Sequence, residues 1–191
     1  NIMGHEAVYV HIAEKYYSGD QAYWLDKADK FRIMDRAAKM KPTLIDKQAP
    51  ALVLKDVNGK MVNLYSIDAD YVLLMFYDPD CGHCKKEAPL FKAAYDSLKT
   101  MYSIKAVAVS ITTETEKWKK FIKEFGIEDW HNIADLERVN PFREIYDIQS
   151  TPRLFLLDKD KIIRGKRFGP EQLSELLKSL EKMKQQQKKG K

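Results

Sequence analysis

Seven consecutive apolar residues, Tyr71-Val-Leu-Leu-Met-Phe-Tyr77, constrain this chain more than any other stretch. The run falls far short of the roughly 20 residues that a membrane-spanning helix needs. Lacking polar alternation, it reads as a strand covered on both faces, which demands a layer on either side. A chain of 191 residues, 45% hydrophobic and 32% charged, can supply those layers around one core. Its mean hydropathy of −0.49 with 11% aromatics argues against both a membrane protein and a disordered one.

The flanking pattern is α/β. Residues 1–45 read as helical: Met3, Ala7, Val10 and Ala13 to Tyr17 fall near helical spacing, and Ser18-Gly19-Asp20 is a break with a fresh N-cap. Tyr23, Trp24, Lys27, Phe31 and Met34 then continue a second helix with an aromatic packing face, ending before Pro42. Residues 51–55 and 61–64 flank Asn58-Gly59, which carries type I′ hairpin chemistry. A long helix follows the central run, then a second buried strand over 104–110. Thr113-Glu-Thr-Glu116 offers a capping box, and Trp118, Phe121, Ile122 and Phe125 form a helical face. Asn132 to Asp135 is a short inserted strand, and Pro141 takes the first position of a brief helix. Two strands around the Asp158-Lys-Asp160 turn and an amphipathic helix opened by Pro170 complete one α/β sandwich.

Charge decides little. Lys and Arg number 33 against 28 Asp and Glu, for +5, but much of the excess sits after Lys182. Residues 184–191 read as a flexible basic tail, and no nucleic-acid motif accompanies them. No basic-then-apolar leader opens the chain at Asn1, so a processed or truncated product is expected, with any targeting signal or membrane tether outside it.

The two cysteines decide more. Cys81 and Cys84 stand as Cys-Gly-His-Cys, too close to brace a fold: the loop-entropy model assigns about 2 kcal/mol to so small a ring. Chemistry explains them better. Placed at a helix start, an i, i+3 pair lies within disulfide range, and unpaired backbone N–H groups favour the thiolate of the first sulfur. Cys84, one turn inside, is suited to resolve a mixed disulfide by attacking Cys81. A protonated His83 would strengthen the thiolate and make the disulfide more oxidising, whereas Asp78 and Asp80 push the other way. Glu87 shares a helical face with Cys84; it reads either as a proton relay or as a solvated glutamate beside Lys85 and Lys86. Thr151-Pro152, just before a strand, is a candidate cis-proline loop facing the thiols.

Together Cys81-Gly-His-Cys84 after the apolar strand, Pro89 five residues beyond, and Thr151-Pro152 before the last hairpin resemble a thioredoxin-fold domain. Gln48-Ala-Pro50, the Asn58-Gly59-Lys60 hairpin and Glu87 resemble its TlpA-like bacterial envelope branch, here with a preceding helical region of unassigned function. The resemblance covers 46–183 and implies a thiol:disulfide oxidoreductase. It makes Cys81 the attacking thiol, Cys84 the resolving one, Glu87 a site acid, and Thr151-Pro152 the loop that holds substrate backbone. It also implies a redox-active Cys81–Cys84 disulfide with no other cofactor or metal, partners that are protein thiols and disulfides plus an upstream redox protein, and a periplasmic or envelope location. Asp80 replaces the tryptophan common before the first cysteine, on the substrate-facing surface. Met75 takes the place of a buried aspartate, and Arg153 adds a bulky base after the proline.

Three alternatives compete. A peroxiredoxin-like peroxidase needs threonine or serine three residues before its cysteine, where this chain has Asp78, and a proline further back, where it has Leu74. Zinc wants four ligands, and no second cysteine pair exists. A redox-silent partner-binding module is the third.

Overall fold

A computed structural model describes residues 5–19 and 22–189 of the chain. Helices α1 (His5–Ile12) and α2 (Lys27–Met40) come first, and α1 runs on into one π-helical turn, Ala13–Tyr17. The cap of α2 is Asp26, whose carboxylate accepts from the Asp29 N–H at 2.7 Å. Asp20, the cap expected from sequence, lies outside the described residues, as does Met3. Because Asp26 sets the helix start, Tyr23 and Trp24 precede α2, and with Phe31 they face solvent, 87%, 64% and 71% exposed. The expected aromatic packing face is therefore not used. Val10, Ala13, Ala37 and Leu44 pack together instead, with Ile33, Met34 and Met40 against them.

The remaining elements are β1 (Val53–Asp56), β2 (Met61–Asn63), β3 (Tyr71–Tyr77), α3 (Gly82–Leu98), β4 (Ile104–Ser110), α4 (Thr115–Glu124), β5 (His131–Ala134), α5 (Phe142–Ile145), β6 (Arg153–Asp158), β7 (Ile163–Lys166) and α6 (Pro170–Lys189). They build one mixed sheet in the order β2-β1-β5-β4-β3-β6-β7. The apolar run is its middle strand β3, parallel to β4 and antiparallel to β6, with every residue buried. Strand alternation sends Tyr71, Leu73, Met75 and Tyr77 toward α3, α4 and α6. Val72, Leu74 and Phe76 go to the other face, against Leu54, Leu64, Phe142 and Tyr146.

Local chemistry departs from the expected turns in four places. The β1–β2 loop is Val57 to Lys60, and only Gly59 in it has a left-handed φ, +81°, so it is not a type I′ turn. Asp56 explains this, because its carboxylate accepts from both Asn58 N–H and Lys60 N–H at 2.9 Å. α4 starts after Glu114 with no side-chain cap, since Thr112 Oγ1 already takes the Glu114 N–H at 3.2 Å; the capping box is absent. Pro141 caps α5 rather than sitting inside it. Finally, α6 stays helical through Lys189, so most of the presumed tail extends an amphipathic helix.

The helical segment is tied to the sheet edge. Asp46 N–H and Ala49 N–H donate to Ile163 and Lys161 carbonyls at 2.9 and 2.8 Å, and Gln48 bridges Ile162. Lys166, buried on β7, pairs with Glu6 of α1 and donates to the Thr43 carbonyl at 2.8 Å. Among the described residues no helix is long and apolar enough to cross a membrane.

Phe76 is the aromatic hub of one face, with ring centroids of Tyr146, Phe142 and Phe155 at 4.8, 5.8 and 6.0 Å. Phe76→Ala is expected to lower unfolding free energy by about 3–5 kcal/mol. Urea titration checks this, and a loss under about 1 kcal/mol would contradict a packed hub there.

Candidate active site

β3 ends at Tyr77 and the chain turns at once into α3. Asp78 shapes that turn: its carboxylate accepts from Asp80 N–H at 2.9 Å and its carbonyl from Cys81 N–H at 3.0 Å. Cys81 thereby becomes the N-cap of α3, in extended conformation (φ −75°, ψ 119°), with no side-chain cap to occupy the first backbone N–H groups. Those groups remain available to its sulfur. Cys84, one turn on, is fully buried, while Cys81 is half-buried; both are thiols here.

The loop before β6 closes the site from the other side. The Thr151–Pro152 peptide is cis, and the Cys81 thiol donates to the Thr151 carbonyl at 3.3 Å. Burial pushes the Cys81 pKa up, but the N–H groups of Cys84 and His83, the Thr151 side chain and the Cys84 thiol outweigh it, leaving it below 9.0. Burial pushes Cys84 from 9.0 up to about 12, with Thr151 and the Asp78 backbone in partial opposition and Cys81 reinforcing the rise. Two thiols three residues apart are thus driven in opposite directions, and Thr151 touches both.

His83 is exposed, and its backbone N–H favours the Cys81 thiolate. Asp78 is spent on the turn, and Asp80 is held 2.8 Å from Lys117 of α4, whose hydrogen bond lowers its pKa. Glu87 is half-buried on the wall of a cleft that it shares with His83, Thr151 and Pro152. Burial raises its carboxyl pKa, Glu171 adds to the rise and His83 opposes it. Among the described residues no hydrogen bond joins Glu87 to Cys84. That cleft, of about 670 Å³, is also lined by Arg36, Arg153 and Arg167. Reading the sequence singled out only Arg153, through its place after Pro152; Arg36 and Arg167 stand far from any motif. Beneath Cys84 lies Tyr77, its ring stacked on Phe121 at 4.3 Å and its hydroxyl pKa raised by burial. Among the described residues no three His, Cys, Asp or Glu side chains gather closely enough to share a metal ion.

Residues 45–166 match the model of the AhpC/TSA family, and the chain belongs to that family. Its fold is thioredoxin-like: a thioredoxin-like protein from Bacteroides caccae ATCC 43185 superposes with a TM-score of 0.78 at 23% identity, covering 90% of this chain and 62% of that one. So broad a cover takes in part of the helical segment as well. A domain of a possible thiol-disulfide isomerase from Cytophaga hutchinsonii ATCC 33406 is 36% identical with a TM-score of 0.70, covering 75% of this chain and 97% of that one. Thiol-disulfide oxidoreductase ResA of Bacillus subtilis (strain 168) is 29% identical over 121 residues, 61% of this chain and 65% of that protein's length.

Opposed pKa shifts give a direct test. With Cys81 below 9.0 and Cys84 near 12, iodoacetamide at pH 8 should modify Cys81 alone, as mass spectrometry would read. Its rate should fall about tenfold per pH unit below the Cys81 midpoint. Equal labelling of both cysteines would contradict the assignment. For stability the sign is set by Cys84: its folded pKa is the higher, so its contribution is complete below 9.0 and is lost as pH rises toward 12. Reduced protein should therefore lose more stability over that range than a Cys84→Ala variant.

Proposed function

We propose that this protein is a thiol-disulfide oxidoreductase acting on protein substrates, with Cys81 attacking and Cys84 resolving. The observation that carries the reading is the half-buried, thiolate-favouring Cys81 set over a buried, proton-retaining Cys84 beside the Thr151 carbonyl. In the reducing direction, the Cys81 thiolate attacks one substrate sulfur, a mixed disulfide forms, and the other substrate sulfur leaves as a thiolate. Cys84 then gives up its proton and attacks Cys81, releasing the second substrate thiolate and leaving a Cys81–Cys84 disulfide. Two electrons pass to the substrate, and a dithiol protein partner upstream returns them; the same steps run backwards for oxidation. Burial keeps the Cys84 thiol protonated, and the smaller contribution of the Cys81 thiolate disappears once Cys81 enters the mixed disulfide.

Around this pair, Thr151-Pro152 offers backbone to the substrate, Asp80 faces the approach with Lys117, and Glu87, its carboxyl pKa raised by burial, is the site acid in the cleft that His83 borders. No group beyond the redox-active disulfide is required. Likeness to named thiol-disulfide oxidoreductases and the resemblance to the TlpA-like branch support this reading and an envelope location. A peroxidase would need threonine or serine at residue 78, and Asp78 is engaged in the turn.

Insulin reduction by dithiothreitol tests the proposal. Wild type should accelerate it, Cys81→Ser should fall to the uncatalysed rate, and Cys84→Ser should accumulate mixed disulfides trapped through Cys81. Wild-type activity in Cys81→Ser would refute it.

A further inference from the structure

We propose that the cleft beside Thr151-Pro152 is a subsite for acidic side chains flanking the reactive cysteine of a substrate polypeptide, and that the N-terminal helical segment completes it by supplying Arg36. The inference deepens the exchange reading and rests on it.

The cleft wall carries three arginines, Arg36 from α2, Arg153 from β6 and Arg167 after β7, against one carboxylate, Glu87. Behind them the buried counter-charge falls short. Asp147 accepts from Arg36 Nη2 at 2.8 Å and again from its other nitrogen, and its carbonyl accepts from Arg153 Nη2 at 2.7 Å. Glu6 serves Lys166, and its Oε1 lies 3.1 Å from Arg167 Nη2. Four cations thus share two carboxylates. The Arg153 side chain is only 5% exposed, and its Nε has no hydrogen-bond partner. An unpaired buried donor of that kind costs free energy and marks how poorly this cationic cluster is compensated. Mutual repulsion is visible too. Burial, then Arg167, pull Arg153 below its usual pKa, and burial with Arg153 and Arg167 does the same to Lys166 against Glu6.

An occupant of carboxylate chemistry follows from this charge deficit, and a polypeptide occupant follows from continuity. The same cleft is lined by Thr151, whose carbonyl meets the Cys81 sulfur, and by Pro152. A substrate lying along that loop with its disulfide at Cys81 presents its neighbouring side chains to Arg36 and Arg167. Both keep partial exposure, 23% and 28%, and can reach it.

The test is single-turnover reduction, by reduced full-length protein, of cysteinyl peptides activated as 2-thiopyridyl disulfides. Paired peptides carry either Glu or Gln on both sides of the cysteine. At low ionic strength the Glu peptide should react about tenfold faster, equivalent to about 1.4 kcal/mol, and 0.5 M salt should shrink the ratio. Arg167→Gln and Arg36→Gln should each bring the ratio close to one. Lys60→Gln, the same charge change in the β1–β2 loop at the far edge of the sheet, should leave it intact. Arg167 is the more exposed of the two arginines, so its variant stands even if loss of Arg36 loosens α2. Equal rates for the two peptides with wild type, or a ratio equally reduced by Lys60→Gln, would overturn the subsite. Neutral 2,2′-dithiodipyridine is the control on chemistry. If it is reduced while the peptides show no preference, exchange stands and the subsite falls. If it is not reduced, both fall.

Discussion

The approach of the Thr151 carbonyl to within 3.3 Å of the Cys81 sulfur depends on one register, Phe76 against Arg153. β3 leaves the sheet at Tyr77 just where its antiparallel neighbour β6 enters at Arg153. Residues 78–81 and 151–152, seventy positions apart in sequence, therefore emerge side by side. A slip by one residue would turn the alternate side chains of β3 to the wrong faces. Because β3 is buried on both faces, such a slip would expose or strand large apolar groups in either layer. The core thus holds the two loops together, and the geometry around the Cys81 sulfur is a by-product of packing.

Given that geometry, two identical thiols become chemically different. Cys81 ends a loop and meets the open N–H groups of α3; Cys84 lies one turn deeper among Tyr77, Ala88 and Phe91. Each pKa unit corresponds to about 1.4 kcal/mol, so the rise of Cys84 toward 12 represents a preference for the protonated form on the order of several kcal/mol. The same burial that completes the core therefore keeps the second thiol protonated. Of the acidic neighbours, Asp78 is committed to backbone and Asp80 to Lys117.

Charge, rather than apolar area, orients the helical segment near the site. Its own core is small, built on Val10, Ala13, Ala37 and Leu44. Glu6 and Arg36 instead reach buried partners on Lys166 and Asp147. Buried ion pairs contribute little net stability once desolvation is counted, yet removing one partner is costly, so they act chiefly to specify a position. That position sets Arg36 on the cleft wall.

Much of this was legible in the sequence, for physical reasons that are local. A seven-residue apolar run dictates a doubly covered strand, and Cys-Gly-His-Cys directly after it dictates sulfurs at a helix start, since both follow from side-chain period and chain reach. Turns were less legible: Asp56 and Thr112 captured backbone N–H groups that simple turn and capping rules assign elsewhere. Aromatic spacing misled over Tyr23, Trp24 and Phe31, because propensity shows periodicity but not which face finds a partner. The identity of the strands and of the dithiol was thus written in contiguous residues. Which sulfur keeps its proton, which carboxylate is already engaged and which arginines line the cleft were decided only in three dimensions, because burial and Coulomb interaction depend on distances between residues that the chain order does not specify.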